Sequence, residues 1–292
     1  MKETTAILLT VLAIQSLLIF YYQQGQNRLA YNIFTMNMRE TSEKPISGRV
    51  GTMHRIRFIA ILILISSIPV FSQSLQLQYD FRHSIDPQNN KSNYPTFSFE
   101  LFKLLDEGSF FVKTQADFFG EHNNIGQFYM QISRDFKFWA PPVFLHLEYN
   151  GGLGIAEGTS YGYYLNNAYL LGIDYPFQWG NDWQSVSLSY RYSILNGPNH
   201  DAQVTFYWSK HFWENKFTFE GSFVLFTLNR NQGDALTMNL TGKRILFWGQ
   251  PQIWFNLDKN FSIGSQITLY YHIYSYSENV LIYPSAAIKY RF

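Results

Sequence analysis

Hydrophobic and polar residues alternate along almost the whole chain after residue 72. The segment SLQLQYDFRH at 74–83 puts leucine, tyrosine and phenylalanine on one face of an extended strand and glutamine, aspartate and arginine on the other. Strict alternation over eight residues indicates a strand with one apolar and one polar side. The same pattern recurs to the end of the chain and predicts twelve strands, at about 74–83, 94–104, 109–119, 125–136, 143–151, 163–175, 183–194, 200–210, 216–228, 243–256, 261–274 and 280–292.

The predicted strands are longer than those of most soluble proteins. Soluble strands usually have about 5 to 6 residues, whereas roughly 9 to 11 are needed to cross a bilayer at a tilt. If the connections between strands are numbered from the N-terminus, the three longest are all odd-numbered: SIDPQNNKSN, GLGIAEGTSYG and NRNQGDALTMNLTG. Three even-numbered connections, KFWAPP, PFQWGNDW and HFWEN, carry tryptophan and phenylalanine instead. Alternating long loops and short turns, with aromatic rings at one interface, are typical of outer-membrane barrels.

These patterns predict an all-β fold, a 12-stranded antiparallel up-and-down transmembrane β-barrel. In hydrocarbon every backbone N–H and C=O must be paired, and a sheet achieves this only by closing on itself. An even number of strands places both ends of the barrel domain on the periplasmic side.

The N-terminal segment has a different character. Residues 53–72, MHRIRFIAILILISSIPVFS, have the basic head, the apolar core and the small-residue end of a secretory signal peptide. We therefore expect a barrel at 73–292, exported to the outer membrane of a Gram-negative cell after cleavage, and an upstream extension or artefactual N-terminus at 1–52. The alternative is an N-terminal membrane anchor at 6–22.

Composition excludes several classes of function. The chain has no cysteine, which rules out disulfides and thiolate metal sites. Acidic residues outnumber basic ones after residue 72, so nucleic-acid binding has no electrostatic support. The seven histidines are dispersed, and neither a metal nor a cofactor is expected.

A segment that begins at Ser109, SFFVKTQADFFGEHNNIGQFYMQISRDF, resembles part of the Tsx-type nucleoside channels. The matching positions are Asp117, Gly120, Phe128, Met130, Gln131, Ile132 and Arg134. A second fragment, YYLNNAYLLGIDYPF, is similar to that family through Asn166, Asn167 and Tyr169. The whole region after residue 72 also resembles uncharacterised outer-membrane barrels related to those channels. The resemblance implies twelve strands and the passive passage of nucleosides or similar small hydrophilic solutes.

For such a channel, polar residues on the inward faces are the candidate pore-lining and solute-binding groups. Asp117 and Arg134 are the strongest candidates because they also lie in the resembling segment. The others in this set are Gln131, Glu100, Lys113, Glu148, Asn166, Asp174, Arg191, Glu220 and Arg244, with Tyr207 and Gln266 beside them and Tyr164 and Tyr270 as stacking surfaces. Equally, these groups can satisfy one another as salt bridges in a hydrated interior.

The last strand carries a further signal. It ends on Phe292, with Tyr290 and Ile288 two and four places earlier, which resembles the signal by which the barrel-assembly machinery recognises its clients. Expected partners are that machinery, outer-membrane lipid and small hydrophilic solutes.

Catalysis is the weaker hypothesis. His146 and Glu148 could form a base with its orienting carboxylate, and Ser185, Ser187 and Ser189 are nominal nucleophiles. The sequence thus predicts a porin-like diffusion channel that is not an enzyme. The alternative is an outer-membrane barrel without transport, either a lipid-modifying enzyme or a structural surface protein.

Overall fold

A computed structural model describes residues 73–120, 122, 124–155, 161–194, 197–233, 237–273 and 279–292. The predicted signal peptide at 53–72 and the predicted extension at 1–52 lie outside these ranges, so both stay predictions. The strands are β1 (Gln73–Asp80), β2 (Tyr94–Leu105), β3 (Gly108–Asp117), β4 (Gln127–Phe136), β5 (Phe144–Ile155), β6 (Gly162–Trp179), β7 (Asp182–Ile194), β8 (Pro198–Phe212), β9 (Phe217–Asn229), β10 (Lys243–Gly249), β11 (Gln252–Asn256), β12 (Phe261–Tyr271) and β13 (Leu281–Arg291). A single turn of helix, α1 (Arg82–Ile85), follows β1.

The strands form one antiparallel sheet that closes on itself. Except for β10 and β11, which do not pair with each other, each strand pairs with its neighbours in sequence, and β13 pairs with both β12 and β1. Strands β10 and β11 both lie between β9 and β12 and keep one register, so they are two halves of a single span interrupted at Gln250 and Pro251. Proline has no N–H to donate to a ladder, which explains the interruption. The predicted closed barrel of twelve spans is confirmed.

The two ends of the barrel differ. At the end where β1 begins and β13 finishes, here called the turn end, the connections are 106–107, 137–143, 180–181, 213–216 and 257–260. At the opposite end, the loop end, they are 81–93, 118–126, 156–161, 195–197, 230–242 and 272–280. The two longest connections, 81–93 and 230–242, lie at the loop end, as the sequence predicted. The third segment predicted to be long, GLGIAEGTSYG, leaves a connection of only 156–161 because β5 and β6 extend into it.

The inward and outward faces follow from contacts between strands that are far apart in the sheet. Gln131 on β4 reaches Tyr207 on β8, and Lys113 on β3 reaches Gln250 after β10. These side chains must project into the lumen, and directly paired residues of neighbouring strands share their face. From this register, the polar residues face the lumen, and apolar residues such as Leu147 and Ile288 are exposed on the outer surface. This polarity is the reverse of a soluble protein and matches a membrane barrel.

One irregularity changes the faces of β6. Its register against β5 shifts between Asn150 and Gly152, and Asn167 opposite this point has a positive φ of 21°. In such a bulge, two residues of β6 lie opposite one residue of β5, so the inward and outward positions of β6 are exchanged beyond it. Tyr164 consequently pairs with the outward Leu153 and is 66% exposed. The prediction that Tyr164 offers a stacking surface in the lumen is wrong.

No helix in the described part of the chain is long and apolar enough to cross a membrane.

Candidate pore and its lining

The middle of the lumen is bridged by long polar side chains. Lys113 on β3 pairs with Glu100 on β2, with Nζ 3.0 Å from Oε1, and also donates to the Gln250 Oε1 atom at 2.8 Å. Glutamines from β1 and β12 continue this layer, because Gln78 donates to Gln266 at 3.2 Å. The salt bridge joins neighbouring strands, and the hydrogen bond from Lys113 to Gln250 spans the interior at this height.

A second bridge lies beside the first. Gln131 on β4 donates to the Tyr207 hydroxyl at 2.6 Å and to Glu148 at 3.0 Å. Glu148 also accepts a hydrogen bond from Asn150 at 2.6 Å. The Tyr207 ring lies 6.1 Å from the ring of Phe111 on β3, so aromatic and amide groups close this part of the lumen together.

Towards the turn end, the lumen holds a buried cation. Lys289 on β13 donates to Glu220 on β9, and its Nζ lies 4.0 Å from the ring centroid of Trp254 on β11. Trp254 is fully buried. It has room because Gly264 lies opposite: a Cβ there would approach the Trp254 ring to 2.7 Å and the Ile253 carbonyl oxygen to 2.1 Å.

At the loop end, Asp117 lies in the lumen and is satisfied by its neighbours. It accepts hydrogen bonds from Thr96 at 2.8 Å, Gln115 at 3.0 Å and Gln127 at 3.3 Å. Three donors, one on β3 itself and one on each adjacent strand, hold the carboxylate in place. The location predicted for Asp117 is therefore correct, and its role in solute binding stays a prediction.

The first loop brings a cation to this mouth. Arg82 in α1 makes a two-point contact with Asp80, with Nε to Oδ1 at 3.1 Å and Nη2 to Oδ2 at 2.9 Å. Its guanidinium lies 4.8 Å from the ring centroid of Tyr94 and 4.9 Å from that of Tyr283. Arginine held between two rings and a carboxylate narrows the mouth on the side of β1, β2 and β13.

Another part of the same mouth, on β9 and β10, is apolar. Val224, Phe226 and Leu228 of β9 turn inward and pack against Leu246 of β10. This cluster was missed from the sequence, although the run FVLFTL has apolar residues on both faces and signalled it. Arg191 of β7 extends its guanidinium 4.6 Å from the Phe226 ring centroid, which joins the cluster to the polar lining.

Near the turn end, a histidine lies between two carboxylates. His146 Nδ1 is 2.7 Å from Asp135 and its Nε2 is 3.4 Å from Glu148. Ser109 donates to Asp135, and Ser185 donates separately to Asp174. Neither serine contacts the histidine, so the arrangement lacks the hydroxyl-to-imidazole contact of a nucleophile with its base.

Most of the predicted lining residues face the lumen. The inward set comprises Glu100, Lys113, Asp117, Gln131, Glu148, Asp174, Arg191, Glu220 and Arg244, together with Tyr207, Gln266 and Tyr270. The side chain of Asn166 lies outside the described residues.

Arg134 is the principal correction. It lies three residues after the inward Gln131, and an odd separation along a strand places two side chains on opposite faces. Arg134 therefore faces outward beside Leu147, donates to the Ser109 carbonyl at 3.0 Å and lies 4.8 Å from the Phe136 ring centroid. The prediction that it lines the pore is wrong.

The aromatic residues at the turn end fit the sequence prediction with one exception. Trp139, Trp179 and Trp213 are exposed in or beside the turns. Trp183 instead points into the barrel, where its ring lies 5.1 Å from that of Phe102 on the other side of the lumen. It closes the interior and does not belong to the interfacial belt.

Within the described ranges, no three His, Asp or Glu side chains come together as a metal site.

Comparison with known proteins gives a family but no curated relative. No functionally curated protein shows significant similarity to the chain. Among solved structures, the chain is similar to the NanC porin, with 10% identity over 76% of this chain and 99% of that one and a TM-score of 0.45. It is also similar to the KdgM porin (9% identity, 75% and 99% covered, TM-score 0.40) and to Omp33 of Acinetobacter baumannii (11% identity, 76% and 98% covered, TM-score 0.32). These overlaps are partial and identify no solute. Residues 72–292 match the family described as Domain of unknown function (DUF5020), and the chain belongs to that family.

Proposed function

We propose that the protein is an outer-membrane channel with a narrow polar lumen through which small hydrophilic solutes diffuse passively. The observation that carries this proposal is the lining: polar and charged side chains follow one another inside a closed barrel from Lys289 near the turn end to Asp117 near the loop end. A path of this kind offers hydrogen bonds to a solute that leaves water.

The membrane location rests on the outward face and on closure. Exposed leucine, isoleucine and tyrosine side chains surround the barrel, and tryptophans collect at the turn end. Because closure leaves no unpaired sheet edge, the backbone is compatible with hydrocarbon. Export by a cleaved signal peptide at 53–72, and recognition of Ile288, Tyr290 and Phe292 by the barrel-assembly machinery, belong to the same proposal.

The lumen is expected to admit only small solutes. Its middle is closed by two side-chain bridges, Lys113 to Gln250 and Gln131 to Tyr207. Both depend on side chains that can change rotamer, so a solute has to displace them and conductance should be low. Charges of both signs lie nearby, such as Glu148 and Lys113, which favours neutral or dipolar solutes over simple ions. Nucleosides are solutes of this kind.

The same bridges also favour a second candidate, a barrel without transport. If the interior contacts never open, the lining serves only to stabilise the barrel. A channel lets solutes cross the membrane, whereas a barrel without transport does not. Liposomes that contain the refolded protein should swell in isotonic solutions of small sugars and nucleosides, at rates that fall with solute size. Impermeable liposomes with correctly folded barrels would reject the channel and retain the structural alternative.

A further inference from the structure

We propose that Arg134 and Lys103 form a binding site for the phosphate group of an anionic phospholipid on the outer surface of the barrel near its turn end. The inference rests on the membrane location proposed above and does not require transport. Its basis is the outward position of two cations that flank one phenylalanine.

The register places the three residues in one lateral row. Phe110 on β3 pairs with Lys103 on β2 on one side and with Arg134 on β4 on the other. The outward direction of Arg134 fixes that of its paired neighbours, so all three side chains share the lipid-facing surface. Two strand spacings separate the Cα atoms of Lys103 and Arg134 by about 10 Å, within reach of two long side chains that converge on one phosphate.

Lys103 and Arg134 lie at the level expected for the lipid headgroups. Lys103 precedes the end of β2 at Leu105 by two residues, and Arg134 precedes the end of β4 at Phe136 by two residues. A cation on the lipid-facing side is tolerated near the interface and costs increasingly more towards the bilayer centre. At this depth, arginine and lysine extend their charged groups to the level of the lipid phosphates.

The guanidinium of Arg134 is oriented but has no carboxylate partner in the described structure. Nη1 donates to the Ser109 carbonyl, and Cζ lies 4.8 Å from the Phe136 ring centroid. A guanidinium has five N–H donors, so most of them remain for a phosphate, whose oxygens match its fork geometry. The carboxylate next in sequence, Asp135, points into the barrel and is engaged by His146 and Ser109.

Lys210, another cation at this end, is arranged differently from Arg134. Lys210 is also outward and two residues from the end of its strand, β8, but its Nζ lies 2.8 Å from the Asp182 carboxylate and donates to the Trp179 carbonyl at 2.9 Å. Lys210 therefore provides a matched control for Arg134.

The test measures lipid retained by the purified barrel. The protein is reconstituted with equimolar phosphatidylglycerol and phosphatidylcholine, then released from lipid stepwise and weighed by native mass spectrometry. We expect wild type to keep phosphatidylglycerol preferentially and Arg134→Gln to lose that preference about tenfold, as for loss of one charge-assisted phosphate contact. Lys103→Gln should reduce it less, and Lys210→Gln should leave it unchanged.

The outcomes separate this inference from the proposed function. Equal retention of phosphatidylglycerol by wild type and Arg134→Gln overturns the lipid site, as does an equal loss in Lys210→Gln. Protein that fails to float with vesicles of either lipid overturns the membrane location and the lipid site together. A lipid preference in a barrel that passes no solute supports the site and rejects the channel alone.

Discussion

Replacement of Lys289 by methionine should destabilise the barrel strongly, because this lysine is the only described partner in an ion pair with Glu220. The Lys289 side chain is 2% exposed and that of Glu220 is 24% exposed. Removing one member of a buried ion pair typically costs about 3–5 kcal/mol, because a charge is left unpaired. The partial exposure of Glu220 reduces this loss, whereas the lost contact between Lys289 and the Trp254 ring adds roughly 1 kcal/mol. We expect a net decrease of about 3 kcal/mol in the free energy of unfolding.

Urea unfolding in phospholipid vesicles measures this change. With a slope of about 2 kcal/mol per molar urea, the midpoint should fall by about 1.5 M. Adding Glu220→Gln to Lys289→Met removes the unpaired charge and should restore a large part of the loss, with a coupling energy of about 1.5–3 kcal/mol. Lys210→Met is the control, since its ion pair with Asp182 is at the barrel end and should contribute under about 1 kcal/mol. A midpoint shift for Lys289→Met no larger than that of the control, with no coupling to Glu220, would refute the reasoning.

Three further predictions concern other parts of the barrel. Gly264→Ala should lower stability by about 1–3 kcal/mol, because its Cβ would overlap the neighbouring strand, whereas Gly162→Ala, whose Cβ lies 3.8 Å from its nearest neighbour, should be close to neutral in the same urea assay. A spin label on Tyr164→Cys should be relaxed by oxygen dissolved in the lipid, and one on Tyr163→Cys by a water-soluble nickel complex; the opposite accessibilities would exclude the bulge in β6. Hydrogen bonds from two backbone N–H groups hold the pKa of Asp258 below its usual range. Because the folded state favours the ionised form of Asp258, this group stabilises the barrel above the pKa that it has in the unfolded chain. The contribution disappears as pH falls through its pKa in the folded protein. An NMR titration should find the lowered pKa, and Asp258→Asn should remove the corresponding pH dependence of stability.

The strands were predictable because the lipid and the lumen impose opposite polarities on alternate residues. That rule assigned Asp117, Glu148 and Glu220 to the lumen correctly. It also contained the information to reject Arg134, since Gln131 and Arg134 lie an odd number of residues apart and cannot share a face. The resemblance to nucleoside channels led to the assignment of both residues to the pore. The alternation of side chains along β4 shows that the assignment of Arg134 is wrong.

Other features depend on distances that a single strand does not encode. The bulge at Asn167 changes the face of Tyr164, and its position depends on the pairing of β5 with β6. The contact of Trp183 with Phe102 and the bridge from Gln131 to Tyr207 join strands on opposite sides of the lumen. Such contacts depend on the tilt and stagger of the closed sheet, which alternation along the chain leaves undetermined.

The bridges across the lumen lead to the experiment that tests the central claim. Single-channel currents in planar bilayers should show a small conductance for wild type and a several-fold larger one for the double variant Lys113→Ala/Tyr207→Ala, which removes both bridges. Tyr169→Ala removes a tyrosine that is 51% exposed on the outer face and should conduct as wild type does. If folded, inserted barrels of both wild type and the double variant carry no current, the lumen is not a solute path and the account is contradicted.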